Sequence, residues 1–193
     1  MNKDSLIILT KLLDEKTTEY NVRTLAQATA IDYKNTYLAV KALEKEGILV
    51  IKKFGRANTI TSIPSSHPHI YTAEHQRTQR FLKKHSALAS ALQYFNQLPT
   101  RFYTLLVFGS YAKRTENNRS DIDLLFIVSD KIAESIEKTI QNIASTTPLK
   151  LHIHVFSEKD FKAMALSKER TVGSEAIQHN IILHGIEQYY ELL

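Results

Sequence analysis

Leu105-Leu106-Val107-Phe108-Gly109-Ser110 and, ten residues further on, Asp121-Ile122-Asp123-Leu124-Leu125-Phe126-Ile127-Val128 decide how this chain is read. Two apolar runs of strand length bracket a polar loop that opens on Gly-Ser and closes on two aspartates one residue apart. Successive side chains of a strand point to opposite faces, so Asp121 and Asp123 share a face, roughly 7 Å apart along the chain. Two carboxylates so placed can hold one or two divalent cations. A hard ion such as Mg²⁺ takes oxygen ligands and shares them with substrate phosphates. Gly109 lets a phosphate approach the backbone, and Ser110 adds a hydroxyl and an N–H at the start of the following turn. The combination reads as a nucleoside triphosphate site, with the loop cations Lys113, Arg114 and Arg119 able to pull on phosphates. The plainer alternative is a loop whose acids merely solvate a strand start. It gives no packing reason for two same-face carboxylates on so apolar a strand.

Glycine and serine, ten intervening residues and then Asp121-Ile122-Asp123, each half joined to an apolar strand, resemble the signature of the DNA polymerase β-like nucleotidyltransferase superfamily, most of all its minimal nucleotidyltransferase branch. The resemblance is tight over about residues 102–128 and looser over the rest of the C-terminal half. It implies transfer of a nucleoside monophosphate from a nucleoside triphosphate to an acceptor hydroxyl. Gly109, Ser110, Lys113 and Arg114 would meet the nucleotide, and Asp121 and Asp123 would hold Mg²⁺, with two ions possible. Two positions depart from the family pattern. Arg114 stands where many relatives have a glycine, and His152 falls where a third carboxylate sits on a neighbouring strand. Imidazole is a poor Mg²⁺ ligand and a competent general base near neutral pH, so His152 joins the aspartates as a candidate catalytic residue. His154 shares the strand face of His152 and reads as a surface histidine. A zinc pair there lacks a cysteine or a third clustered histidine.

The chain has 193 residues, 43% hydrophobic and 23% charged, which suits an ordinary globular protein of one large or two small domains. It contains no cysteine, which excludes disulfides and thiolate chemistry and fits a cytoplasmic setting. No apolar run approaches the length needed to span a bilayer, so no membrane partner is expected. The net charge of +5 favours polyanionic partners without specifying one.

Residues 1–63 read as a separate domain. Leu6, Leu9, Leu12 and Leu13 recur at helical spacing, a short helix follows over about Thr24–Ala30, and a third runs over about Tyr33–Glu46 with Tyr37, Val40, Ala42 and Leu43 as its inner face. Gly47 ends that helix. Ile48–Phe54 and Thr59–Ile63 around Gly55-Arg56-Ala57-Asn58 make a hairpin. Helices followed by a basic hairpin resemble a winged helix-turn-helix domain. The resemblance places Lys34, Asn35 and Lys41 of the third helix towards a groove and Lys52, Lys53 and Arg56 of the wing along the phosphates. Such domains also serve dimerisation and protein docking, so DNA, a partner protein and a homodimer are all compatible with it.

Residues 64–72, with Pro64, His67, Pro68 and His69, read as a linker whose histidines are solvated. Residues 73–193 read as the catalytic domain. It opens with one long helix, about Tyr71–Gln97, on whose polar side Arg77, Arg80, Lys83 and Lys84 form a solvated face. Strands over Phe102–Phe108, Ile122–Val128 and Leu149–Phe156 follow, with a helix over about Lys131–Ala144. Ser157 caps a further helix, and two more helices, about Gly173–His184 and Ile186–Leu192, finish the chain. The expected class is α+β, a small mixed sheet flanked by helices behind a winged helix-turn-helix. The alternative function is a DNA-binding regulator or antitoxin whose degenerate transferase domain only binds a nucleotide or a partner protein.

Overall fold

The computed structural model describes all residues except 55–56, 63–65, 118, 168 and 170, and describes the backbone alone at 53, 54, 57 and 62. Arg56, the Gly55-Arg56 turn, and Pro64 and Ser65 of the expected linker therefore lie outside the described residues, as does the Lys53 side chain. Two compact units divide the chain, Met1–Arg77 and Thr78–Leu193.

The first unit contains helices α1 (Lys3–Asp14), α2 (Val22–Thr29) and α3 (Tyr33–Lys45), then the antiparallel strands β1 (Leu49–Phe54) and β2 (Ala57–Ser62). Each helix starts on a side-chain cap: Asn2, Asn21 and Asp32 accept backbone N–H groups of their first turns. Helix α3 ends in a Schellman arrangement. Gly47, at φ +73°, donates to the Glu44 carbonyl, and Ile48 donates to that of Leu43. Helix α1 packs on α3 and β2 over buried Ile8, Leu9, Val40, Leu43 and Ile60. The buried face of α3 is Thr36, Ala39, Val40 and Leu43. Tyr37 and Ala42, expected inside, are exposed, because the helix is rotated by about one position from the face the sequence suggests.

Helix α4 spans Pro68–Lys84. Residues 68–72, read from the sequence as the end of a linker, are its first turns. Proline suits the first helical position, where its missing N–H has no intrahelical partner to lose. The single long helix expected to Gln97 is instead three pieces: α4, α5 (Ser86–Ala91) and a 3₁₀ turn (Leu92–Gln97). His85 leaves helical dihedrals at the break, and its ring lies 4.5 Å from that of Phe81 and 5.3 Å from that of Tyr111.

The second unit is built on a four-stranded mixed sheet in the order β5-β4-β3-β6, with β3 (Tyr103–Val107), β4 (Ile122–Val128), β5 (Leu151–Ser157) and β6 (Ile181–His184). β3 runs antiparallel to β4 and β6, and β4 runs parallel to β5. Leu105, Val107, Leu124 and Phe126 face a core completed by Leu88, Phe95 and the Ile136, Ile140 and Ile143 stripe of α7 (Ala133–Ser145). Leu106, Leu125 and Ile127 on the opposite face are also buried, and α8 (Glu158–Leu166) and α10 (Ile186–Leu192) pack against that part of the sheet. A sheet covered on both faces explains why β3 and β4 read as unbroken apolar runs rather than alternating ones. Strand β6 lies where the sequence suggests helix: α9 (Val172–Gln178) stops short of it, and β6 pairs with β3 across a bulge.

Candidate active site

The turn after β3 and the start of β4 meet at one edge of the sheet. Phe108 donates its N–H to the Asp123 carbonyl at 3.1 Å, which fixes the end of β3 against the start of β4. Gly109 follows at φ +64° and opens the short helix α6 (Gly109–Lys113), whose first turn has no side-chain cap. A β-carbon on Gly109 would fall 2.1 Å from Oδ2 of Asp123. The glycine is therefore required twice, by its backbone angle and by the carboxylate lying directly over it. Gly109 and Asp123, separate in sequence, meet in one place.

Along β4 the exposure alternates as a strand dictates: Asp121 exposed, Ile122 buried, Asp123 half-buried, Leu124 buried. The parallel pairing with β5 sets Asp123 opposite His152. Asp123 Oδ1 lies 3.1 Å from His152 Nδ1. His154, two residues on, turns to the same face, its ring 4.4 Å from that of His152 and 5.5 Å from that of Phe108. One ligand atom from each of Asp123, His152 and His154 falls within a 4.8 Å set, a group able to hold a metal ion. Asp121 is not part of that set; it joins His152, Gln141, Ser145, Thr147 and Lys150 in lining an open cavity of about 560 Å³ beside it. Burial, reinforced by the neighbouring His152, pushes the His154 imidazole below its ordinary value against the pull of Asp123, so it stays neutral around pH 7.

Strand β5 carries no aspartate or glutamate, so it offers the pair no third carboxylate. The loop cations are arranged differently from one another. Lys113 is ion-paired with Glu175 of α9 (Val172–Gln178). Arg114 ends α6 at φ +60°, a left-handed conformation in which a non-glycine residue costs about 1–2 kcal/mol. Glycine adopts this left-handed backbone without that cost. Glu116 of the same loop binds Lys84 at 2.8 Å, and although burial opposes it, that hydrogen bond holds its carboxyl below the usual value.

Among the candidate nucleic-acid contacts, Lys34, Asn35, Lys41 and Lys52 are exposed. Asn35 bonds Asp32 at 2.6 Å, and Lys41 pairs with Glu44 at 2.7 Å.

From the sequence His154 reads as a surface histidine; its i, i+2 spacing from His152 is the one signal that ties it to the donor set. Glu175 carried no signal, being far along the chain from Lys113.

A family model described as polymerase beta, nucleotidyltransferase matches residues 92–188, just over half of the chain. No curated protein and no solved structure matches significantly. The matched span begins at the 3₁₀ turn, ends in α10, and contains the whole four-stranded sheet with Gly109, Ser110, Asp121, Asp123 and His152. On that match the chain belongs to the polymerase beta nucleotidyltransferase family.

Proposed function

We propose that this chain is a metal-dependent nucleotidyltransferase that transfers a nucleoside monophosphate from a nucleoside triphosphate to an acceptor hydroxyl, behind a winged helix-turn-helix domain of DNA-binding type. The observation that carries the reading is the seating of the Asp123 carboxylate over Gly109, which joins the phosphate-approach turn to the metal-type acids. The carboxylates of Asp121 and Asp123 fit a divalent cation of the Mg²⁺ kind; the two imidazoles beside Asp123 fit Mg²⁺ poorly. A cation held by the aspartates, with a second possible, would supply charge neutralisation at the reacting phosphates. The chain's own residues do the rest. Gly109 and Ser110 receive the triphosphate at the uncapped first turn of α6, and Arg114, with Lys113 if it leaves Glu175, adds positive charge.

His152 takes the proton. With Asp123 ionised, the 3.1 Å contact calls for the imidazole proton on Nδ1, which leaves Nε2 with a lone pair. The acceptor oxygen attacks the α-phosphorus and gives its proton to Nε2. The bond from α-phosphorus to the bridging oxygen breaks, and pyrophosphate leaves. The cavity beside Asp121 and His152, with its Ser145, Thr147 and Lys150, is a fitting place for the acceptor.

The absence of an acid on β5 favours a second reading, a DNA-binding regulator or antitoxin whose transferase unit holds a nucleotide or a partner protein without turnover. Incubation with α-labelled nucleoside triphosphates, Mg²⁺ or Mn²⁺ and pooled nucleic-acid, protein and small hydroxyl acceptors, read by intact mass, separates the two. The transferase reading expects an acceptor to gain one nucleoside monophosphate. It expects His152→Ala to slow that gain by about 10²–10⁴-fold. A nucleotide-dependent rise in melting temperature with no mass gain in any pool is the outcome of the second reading. The lack of cysteine supports a cytoplasmic setting, and a homodimer through the N-terminal unit remains compatible with both readings.

A further inference from the structure

A second set of donor atoms gathers at the end of α3, away from the aspartates. Glu46 ends α3, while His67 and His69 flank Pro68 at the start of α4. One ligand atom from each lies within a 4.8 Å set. The β1–β2 hairpin separates them in sequence, so nothing local requires them to meet. The two rings stand 4.9 Å apart, nearly edge to face, and His67 Nδ1 accepts the backbone N–H of His69 at 3.1 Å. Nδ1 of His69 is closed off from water and makes no hydrogen bond, yet Oε2 of Glu46 lies 2.7 Å from it. The contact is an ion pair when the ring is protonated, but its geometry is not that of a hydrogen bond. A buried ring nitrogen without an aligned hydrogen bond is open to a cation as partner, with the nearby carboxylate as a second ligand.

We propose that Glu46, His67 and His69 bind a divalent transition ion of the zinc type. Two imidazoles and a carboxylate suit Zn²⁺, Co²⁺ and Ni²⁺ far better than the hard ions Mg²⁺ and Ca²⁺. Four-coordinate zinc, with ligands at about 2.0–2.2 Å, spaces its donors about 3.3 Å apart, so rotation of the exposed Glu46 side chain and the His67 ring closes the set. The His69 N–H then turns to water, as first-turn donors of a helix do. Three protein ligands leave one position for water. The ion ties the last turn of α3 to the first turn of α4 across the hairpin and makes the stability of this unit depend on metal.

The test uses the full chain, stripped by chelator, with Asp123→Ala and His152→Ala in place so that the other donor cluster is silent. Zn²⁺ titrated calorimetrically should bind one equivalent and raise the melting temperature, and Co²⁺ should give the strong visible bands of a four-coordinate ion. His67→Ala with His69→Ala should abolish both. Glu46→Gln, an isosteric change at an exposed position that leaves the fold intact, should weaken Zn²⁺ at least tenfold. Failure to bind a stoichiometric Zn²⁺, or an unchanged affinity in the Glu46→Gln and double-histidine variants, overturns the proposal.

Discussion

Gly109 is where backbone and chemistry are tied most tightly. Its φ of +64° disfavours any other residue, and the Asp123 carboxylate occupies the volume of a β-carbon. Gly109→Ala is therefore expected to cost about 1–2 kcal/mol in backbone strain alone. It should also push Asp123 off its place, so that metal-dependent nucleotide binding falls away while the fold persists. A denaturant melt paired with nucleotide titration checks both, and an alanine variant that binds nucleotide like the native chain contradicts the account. His152 is the complementary case at this scale. Parallel pairing of β4 and β5 sets it opposite Asp123, and the missing acid is legible in the sequence only through the family resemblance.

At the level of elements, α4 holds what the sequence concealed. Arg77 was expected on a solvated face. It is instead buried, 2.8 Å from Asp14 and 2.5 Å from Glu74, both acids being similarly enclosed. Removing the guanidinium leaves two carboxylates without it, so Arg77→Ala is expected to lose about 3–5 kcal/mol in a urea melt. A loss under about 1 kcal/mol would show that the network is slack. Helical periodicity could not reveal this, because a charged residue is read as exposed unless its partner, 63 positions earlier in the chain, is known. The same limit hid β6: Ile181–Leu183 is too short an apolar run to separate a strand end from a helix end, and only pairing with β3 decides it. The inner face of α3 was misread by a single step because Tyr37 and Ala42 are apolar yet lie outside, while the buried Thr36 is polar and donates to the Asp32 carbonyl at 2.9 Å. By contrast, β3, β4, α7 and the Ser157 cap were legible. Long apolar runs, a stripe of three isoleucines and a capping serine are local signals, and the structure places each of them where the sequence suggests.

The molecule as a whole carries a charge of +5 and divides into two separately compact units. Among the described residues no helix is long and apolar enough to cross a membrane. If the helices and hairpin of residues 1–63 engage DNA, replacing Lys34, Lys41, Lys52, Lys53 and Arg56 by alanine should weaken duplex binding. For every phosphate that is no longer neutralised, the slope of log affinity on log salt should flatten by about 0.9. Fluorescence anisotropy at several salt concentrations measures this, and salt-independent binding by the native chain points to a docking role instead. Under the proposed function, Gly109, Ser110, Asp121 and Asp123 make one nucleotide and metal site. Its most direct measurement is equilibrium dialysis of α-labelled nucleoside triphosphates with and without Mg²⁺ or Mn²⁺, comparing the native chain with folded Asp121→Ala and Asp123→Ala variants. The account predicts retention that requires the ion and is lost in both variants. Equal retention in all three proteins, or retention indifferent to the ion, would contradict it.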